Sequence, residues 1–262
     1  MFLTWPVRKK LKGVYLEAVI CILSLAVILD VLLSEPTRKP WLWLHPTVWV
    51  GLLTEKIKPF LKGGGSSTEK VKGAFFTLAL SLLAFLGVIG LLRFLSTISQ
   101  VLSIVMASLL LKSTFSARFL LEKVWAVYIA LKGNRLNRAR AELRFLVRRN
   151  VNTLGAGHLA SAAVESCAES FVDGFLSPLF YFALLGPAGA FLQRAVNTLD
   201  SMLGYKDEFH VNIGWASAKL DTLLNYLPAR LSVFFMALSK PQRAVKALKT
   251  ALRHHRRTES LN

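Results

Sequence analysis

The strongest constraint in the sequence is a pair of uncharged apolar stretches separated by a single arginine. Residues 74–92 read AFFTLALSLLAFLGVIGLL and residues 94–111 read FLSTISQVLSIVMASLLL, with Arg93 between them. A helix needs about 20 apolar residues to cross the hydrocarbon core of a bilayer. Each stretch approaches this length, so we predict two membrane-spanning helices that form a tight hairpin over 74–111.

The composition of the whole chain agrees with a membrane protein. Hydrophobic residues make up 53% of the 262 residues and charged residues 18%, and the mean hydropathy is +0.46. Such a chain has too few polar residues to cover a water-soluble globule, and it is too apolar for a disordered chain. Cys21 and Cys167 lie far apart in apolar or small-residue stretches, so we expect two reduced, packed thiols rather than a disulfide or a metal site.

Three further stretches are predicted to join the bundle. Residues 14–33 are apolar and lack a small-residue cleavage pattern, which favours an uncleaved span. Residues 171–191 are interrupted by glycines and prolines, which predicts a broken or re-entrant helix pair. Residues 220–238 form a similar stretch with a kink at Pro228. No segment alternates like a strand, so the predicted fold class is an all-α, polytopic integral membrane bundle.

The remaining segments are predicted to be peripheral parts of one membrane domain, 1–262. Residues 34–73 form a polar loop with short helices, and the run GGGSST at 63–68 is a flexible linker, because the lysine of a phosphate-binding loop is absent at the required spacing. Residues 112–149 form a basic peripheral segment. Residues 239–262 form a basic tail that is expected to lie on the membrane surface.

Within the basic segment, Leu136, Leu143 and Leu146 recur at helical spacing with arginines around them. This pattern is typical of an amphipathic helix on lipid head groups, and a ligand-binding helix explains it equally well. Both interpretations stay open from the sequence.

The net charge of the chain is +18, from 33 basic and 15 acidic residues. This excess fits an anionic membrane surface or anionic small substrates, and the basic runs lack the interleaved aromatic residues of nucleic-acid motifs, so no nucleic-acid partner is expected. A hairpin over 74–111 would place the basic segments 34–73 and 112–149 on one side of the membrane, which should be cytoplasmic. If residues 14–33 also cross the membrane, the basic amino terminus lies on the outer side, against the positive-inside rule. Whether residues 14–33 cross stays open.

The acidic residues concentrate in 150–238, which we predict to be the catalytic half. This half contains seven of the 15 acids but only four of the 33 bases. Glu165, Glu169 and Asp173 are spaced by four, so three carboxylates follow one helical stripe and repel one another. A surface acidic face is the alternative, but it fits poorly beside an apolar broken helix. A bound cation or ligand that neutralises the stripe is therefore expected.

Two later motifs, NTLDSMLGY from Asn197 and GWASAKLDTLLNYLPAR from Gly214, also place polar groups in apolar helices. A charged residue at bilayer depth costs about 2.5 to 3.5 kcal/mol, so several together predict a functional site. The polar residues of these motifs are Asn197, Asp200, Ser201, Lys219, Asp221, Asn225 and Arg230.

A smaller polar group surrounds the first hairpin. Glu35 and His45 follow the first apolar stretch, and KSTFSAR from Lys112 adds Lys112 and Arg118. The bases and hydroxyls could hold phosphate or mark the membrane boundary. His45 alone is more typical of a loop histidine than of a ligand.

These motifs resemble the CobD/CbiB family of cobalamin biosynthesis, the membrane adenosylcobinamide-phosphate synthases. The resemblance rests on VESCAESFVDGFLSPLFYFALLGPAGAF from Val164, VNTLDSMLGYKDEF from Val196 and GWASAKLDTLLNYLPARL from Gly214, with LDVLLSEP, HPTVWVG and KSTFSAR in the first half. It covers most of the chain. The family commonly has Arg-Asp-Thr where Arg149, Asn150 and Val151 stand, and Asn in place of Ser170, so a metal or base role at 150 is in doubt.

The resemblance implies a carbon–nitrogen ligase of the cell membrane, multi-pass, with a cytoplasmic active face. The enzyme would join adenosylcobyric acid to (R)-1-amino-2-propanol or its phosphate in an ATP-dependent amide bond. A carboxylate is a poor electrophile, and an acyl phosphate made from ATP is the simplest route to activation. The implied cofactors are ATP and Mg²⁺. The expected partners are the corrinoid, the amino alcohol or its phosphate, the lipid bilayer and other membrane-bound enzymes of the pathway, with no prediction of oligomeric state.

Five acids are expected to supply Mg²⁺ ligation or acid/base catalysis without individual assignment: Glu165, Glu169, Asp173, Asp200 and Asp221. The expected substrate- and phosphate-binding residues are Glu35, His45, Lys112, Arg118, Arg149, Asn197, Ser201, Lys206, Lys219, Asn225 and Arg230. A membrane transporter of a corrinoid or another anionic solute is the alternative function, because transporters also combine broken helices with buried charges. No repeat relates the two halves of the chain, which favours the ligase. A non-catalytic scaffold is a third alternative, but it should have lost more of the polar motif positions.

Overall fold

The computed structural model describes residues 11–33, 43, 45–147, 150–239, 241–243, 245–246, 249–250 and 253. Within these ranges the regular secondary structure is helical, which confirms the predicted all-α class. The helices are α1 Leu11–Leu33, α2 Pro46–Leu61, α3 Ser66–Ile98, α4 Gln100–Lys112, α5 Ala117–Lys132, α6 Leu136–Leu143, α7 Ala156–Phe171, α8 Ser177–Leu203, α9 His210–Ile213 and α10 Trp215–Ser239. A π-helical turn, Val172–Leu176, joins α7 to α8.

Four helical stretches in the described part of the chain are long and apolar enough to cross a membrane. They are Leu16–Leu33, Ser66–Ile98, Gln100–Lys132 and Ala156–Leu203. Large apolar side chains such as Phe75 and Leu83 of α3 are exposed, as expected for helices that contact lipid. Helix α10 is not among these four, and the further span predicted over 220–238 stays a prediction.

Helices α3 and α4 pack against each other as a hairpin, but the turn lies at Ser99 rather than at Arg93. Arginine is a good helix former, so Arg93 does not end α3. Ser99 is the N-cap of α4, and its Oγ accepts a hydrogen bond from the backbone N–H of Leu102 at 3.4 Å. A serine at this position stabilises the start of the second helix.

The break predicted within 171–191 is confirmed at Gly186. This residue has φ +69° and ψ −163° inside α8, and Pro187 follows it. A positive φ favours glycine, and proline has no N–H to continue the helical hydrogen bonds. A Cβ added to Gly189 would lie 2.5 Å from the backbone oxygen of Tyr181. The two segments of α8 therefore fold against each other at the break.

Helix α8 is the centre of the bundle and packs against α2, α3, α4 and α10. Leu199 and Leu203, near its carboxyl end, are fully buried against Val50 of α2 and Leu80 of α3. Close to the break, Phe191 packs with residues of α3 and α4. This packing holds one face of α8 against apolar neighbours and leaves another face toward α10.

The leucine stripe of the basic segment packs inside the protein. Leu143 of α6 is fully buried with Val127 of α5 and Leu159 of α7, and Leu136 and Leu146 pack against the same cluster. These leucines do not lie on lipid head groups, because α5 and α7 cover them. In contrast, Arg135, Arg138 and Arg144 are exposed, toward solvent or the membrane surface.

Candidate functional site

The polar residues of α8 and α10 meet between the two helices. Gln193, Asn197 and Asp200 recur at spacings of four and three, so they share one face of α8. Asp221 and Asn225 share one face of α10 in the same way. Since α8 and α10 pack against each other, these five residues form one group, which we call the α8–α10 polar site.

The carboxylate of Asp221 is the centre of this site. The Nδ2 of Asn225 donates to Asp221 Oδ2 at 2.9 Å, and the Nδ2 of Asn197 donates to Oδ1 at 3.3 Å. The Nε2 of Gln193 donates to Asn225 Oδ1 at 3.1 Å, and Arg194 Nη1 donates to Asn197 Oδ1 at 3.4 Å. Gln193 and Asn225 are fully buried, and Asp221 is 7% exposed. A buried carboxylate is thus held by amides on both oxygens.

Further charges act on this carboxylate. Asp200 and Arg194 are within electrostatic range of Asp221. Asp173, on the π-helical turn, is within range of Asp221, Asp200, Arg194 and Glu169. Several acids close to one arginine leave the site negative, and buried negative charge is stabilised by a cation or a cationic group.

The carboxylate of Asp200 lies against the backbone of Gly204. A Cβ added at Gly204 would lie 2.0 Å from Asp200 Oδ1. The Gly204 N–H also donates to the Asp200 backbone oxygen at 2.7 Å, which ends α8. A glycine at this position therefore allows the Asp200 carboxylate to lie close to the end of the helix.

The geometry limits how a metal ion could bind. Among the residues that the structure describes, no group of three or more His, Cys, Asp and Glu side chains lies close enough to hold one. Mg²⁺ is commonly bound by one or two carboxylates, with phosphate oxygens and waters as the other ligands. Asp200 and Asp221 fit this kind of site, whereas the five predicted acids do not form a preformed metal cage.

The acidic stripe of α7 reaches this site only at its end. Asp173 is half-buried, and Glu169 lies within its electrostatic range, but Glu165 and Glu169 are both exposed. The π-helical turn separates Asp173 from the regular helix that carries the other two acids. Roles for Glu165 and Glu169 stay predictions.

Two predicted phosphate contacts of α10, Lys219 and Arg230, lie away from Asp221. With 3.6 residues per turn, positions two before and nine after Asp221 fall on the opposite side of the helix. Both side chains are exposed, and the Arg230 guanidinium stacks on the ring of Tyr226, with Cζ 3.2 Å from the ring centroid. The structure does not bring these two bases to the α8–α10 polar site.

Lys112 and Arg118 contact α1. Lys112 Nζ lies 3.6 Å from Asp30 Oδ1, and both residues are buried, with 8% and 2% exposed. The Arg118 backbone N–H donates to Asp30 Oδ2 at 3.0 Å, and its guanidinium donates to the Leu32 backbone oxygen at 3.1 Å. These contacts tie α1 to the junction of α4 and α5, and the predicted phosphate contacts of Lys112 and Arg118 stay predictions.

The other predicted residues are dispersed. His45 is the N-cap residue of α2, and its Nδ1 lies 2.6 Å from Thr47 Oγ1. Ser201 is half-buried beside Asp200 in sequence, and Lys206 is exposed in the loop after α8. Glu35 and Arg149 lie outside the described residues.

Sequence reasoning missed Gln193 and Arg194. The signal was present, because Gln193 lies four residues before Asn197 and continues the same helical stripe. It also missed a polar cluster at Glu69, which is 6% exposed. Glu69 contacts Lys62 Nζ at 3.1 Å and accepts from Gly63 N–H and Asn212 Nδ2, both at 3.0 Å. This cluster joins the start of α3 to the segment before α10.

In the loop between α8 and α10, the Asp207 carboxylate binds the start of α9. Asp207 accepts hydrogen bonds from the backbone N–H groups of Phe209 at 3.0 Å and His210 at 3.1 Å, and its carboxylate lies 2.8 Å from His210 Nδ1. The hydrogen bond with the His210 side chain holds the pKa of Asp207 below its ordinary value. This interaction fixes the start of α9.

Comparisons with known proteins identify the family. A family model described as CobD/Cbib protein matches residues 23–262. The chain belongs to the CobD/CbiB family. This confirms the resemblance that the motifs carry.

Three relatives illustrate how closely CobD/CbiB proteins resemble this chain. A probable cobalamin biosynthesis protein CobD of Pyrococcus abyssi is 41% identical over 81% of this chain and 69% of the relative. A protein of the same description from Thermoplasma acidophilum is 35% identical over 84% of this chain and 70% of the relative. A cobalamin biosynthesis protein CobD of Pelobacter propionicus is 36% identical over 84% of this chain and 67% of the relative. No solved structure gives a significant match, and nothing in these comparisons supports the transporter alternative.

Proposed function

We propose that this CobD/CbiB protein acts in cobalamin biosynthesis as an ATP-dependent amide ligase. It joins adenosylcobyric acid to (R)-1-amino-2-propanol or its phosphate, with the active face on the cytoplasmic side, where ATP is present. The names of the relatives support the pathway, and the motif resemblance supports the reaction. The observation that carries the proposal is the buried Asp221 carboxylate, held by Asn197 and Asn225 beside two further acids.

The reaction needs an activated carboxyl group. In the proposed route, a corrinoid carboxylate oxygen attacks the γ-phosphorus of ATP. This attack forms an acyl phosphate on the corrinoid, and ADP is the leaving group. The amine then attacks the carbonyl carbon, inorganic phosphate leaves, and the amine loses a proton. Holding these reactants together in one orientation lowers the barrier substantially.

The α8–α10 polar site suits this chemistry. Asp200 and Asp221 are the residues that would hold Mg²⁺, which would neutralise charge on the phosphate oxygens. Asn197 and Asn225 orient the Asp221 carboxylate, because each donates to a different oxygen. Asp173, the third acid within electrostatic range, is the candidate to accept the proton that the amine loses.

The test compares site variants in product formation. Purified full-length protein in detergent is incubated with adenosylcobyric acid, ATP, Mg²⁺ and (R)-1-amino-2-propanol or its phosphate, and products are identified by mass spectrometry. Asp200→Asn and Asp221→Asn should each lower amide formation by at least about 100-fold, as expected for loss of a catalytic carboxylate. Glu208→Gln, which changes an exposed acid outside the site in the same way, is the control and should retain activity.

A second arm separates the ligase from a transporter. Sealed vesicles that contain the protein are given labelled corrinoid without ATP. The proposal expects no protein-dependent uptake in this arm. Uptake without ATP, together with no amide product in detergent, would contradict the ligase.

A further inference from the structure

A cavity of about 250 Å³ lies beside α6, away from the α8–α10 polar site. Its lining residues are Asn137, Arg140, Ala141, Arg144 and Asn152. Asn137, Arg140 and Arg144 are spaced by three and four, so they follow one face of the helical segment. Asn152 approaches from the chain that leads to α7. The cavity is therefore polar, and two guanidinium groups contribute to it.

Both arginines are held in place by hydrogen bonds. Arg140 donates to the Leu154 backbone oxygen from Nε at 3.3 Å and from Nη2 at 3.0 Å, and Nη1 donates to Asn137 Oδ1 at 3.1 Å. Arg144 Nη2 donates to Asn152 Oδ1. A guanidinium group has five N–H donors, and the described contacts use three of those of Arg140. Side chains that are already oriented lose less conformational entropy when they bind a ligand.

The segment that forms the cavity is strongly basic. The described part of residues 133–154 contains four arginines, Arg135, Arg138, Arg140 and Arg144, and one acid, Glu142. Glu142 Oε2 is paired with Lys123 Nζ of α5 at 3.0 Å. The local acid thus neutralises a lysine outside this segment, and the two cavity arginines repel each other. An anion between the two guanidinium groups would remove this repulsion.

We propose that this cavity binds a phosphate group through Arg140 and Arg144. The planar donors of guanidinium groups match phosphate oxygens in pairs, which a lysine cannot reproduce. The segment lies in sequence between the candidate spans Gln100–Lys132 and Ala156–Leu203, so we expect it at the membrane boundary. The phosphate there comes either from a phospholipid head group or from a soluble phosphate compound. The proposal does not depend on the ligase reaction, since it concerns binding alone.

The experiment uses the full-length protein in detergent and two probes. Pyrophosphate is titrated by calorimetry, and phosphatidylglycerol retention is measured by native mass spectrometry against phosphate-free diacylglycerol. The double variant Arg140→Gln, Arg144→Gln should bind at least one phosphate probe about tenfold more weakly than the wild type, a loss of about 1.4 kcal/mol. The probe that is affected identifies the source of the phosphate.

The matched control removes the same charge from the same segment. Arg135→Gln, Arg138→Gln changes two exposed arginines that do not line the cavity, and it should bind both probes nearly as the wild type does. Arg144→Lys keeps the charge but removes the planar set of guanidinium donors, so it should also weaken phosphate binding. This variant replaces the double variant in the test if the double variant does not fold. Equal losses of phosphate affinity in the double cavity variant and in the control would overturn the proposal. Unchanged phosphate affinity in both the double cavity variant and Arg144→Lys would overturn it as well.

Discussion

Asp221 sets the direction of the hydrogen bonds that surround it. An ionised carboxylate only accepts, so Asn225 must present its amide nitrogen, and its oxygen then faces Gln193. Gln193 consequently donates through Nε2, and its buried Oε1 has no hydrogen-bond partner within the described part of the chain. A buried polar atom without a partner costs about 1 to 3 kcal/mol. The Oε1 of Gln193 is therefore a suitable acceptor for an N–H or O–H group of a substrate.

Replacing Gln193 by Met removes this acceptor together with the Nε2 group that donates to Asn225 Oδ1, and it tests the role of the Gln193 amide. We expect Gln193→Met to raise the KM for (R)-1-amino-2-propanol about tenfold, because one hydrogen bond in a buried site is lost, and to change kcat less. The measurement is the amide-forming assay at varied amino alcohol, with thermal unfolding as a check of the fold. Gln100→Met at the start of α4 is the control. An unchanged KM in folded Gln193→Met would assign Gln193 to packing alone.

Among the elements, α8 depends on the break at Gly186. Gly186 has φ +69° and ψ −163°, a conformation that is essentially limited to glycine, and a residue with a Cβ there costs about 1 to 3 kcal/mol. The two segments of α8 could not fold against each other if the helix continued straight through this point. The polar site lies on the segment after the break, so its position follows from this one backbone conformation.

Gly186→Ala should therefore lower the free energy of unfolding by about 1 kcal/mol or more. Gly87→Ala in α3 is the matched control, because Gly87 has no atom within 4 Å of an added Cβ and alanine is the better helix former. Thermal unfolding in detergent is the measurement. Equal unfolding midpoints for the two variants would show that Gly186 does not fix the break.

The attachment of α1 depends on a buried ion pair. Removing one partner of such a pair leaves an uncompensated charge, at a cost of about 3 to 5 kcal/mol. Lys112→Met should be strongly destabilising because Asp30 remains buried, and adding Asp30→Asn should restore much of the loss. A double-mutant cycle on thermal unfolding measures this coupling. Independent, additive effects of the two changes would argue against the structural role of Lys112.

For the whole molecule, the local features of the sequence predicted the class and the bundle. Length and hydropathy identified apolar helices, since a bilayer span depends on a continuous run of residues. Gly186 and Pro187 predicted the broken helix through their own backbone preferences. The turn of the hairpin was misplaced at Arg93, because neither Arg93 nor Ser99 forbids a helix and packing between α3 and α4 selects the turn.

The sequence by itself determined that this is an all-α membrane protein of the CobD/CbiB family with polar motifs in its second half. Those properties depend on residue type and order, which require no knowledge of distant contacts. Only the tertiary structure decided that Asn197, Asp221 and Asn225 meet while Lys219 and Arg230 point away, and that Lys112 pairs with Asp30. A one-dimensional pattern shows which residues share a helix face, but the neighbour of that face is set by how the helices pack.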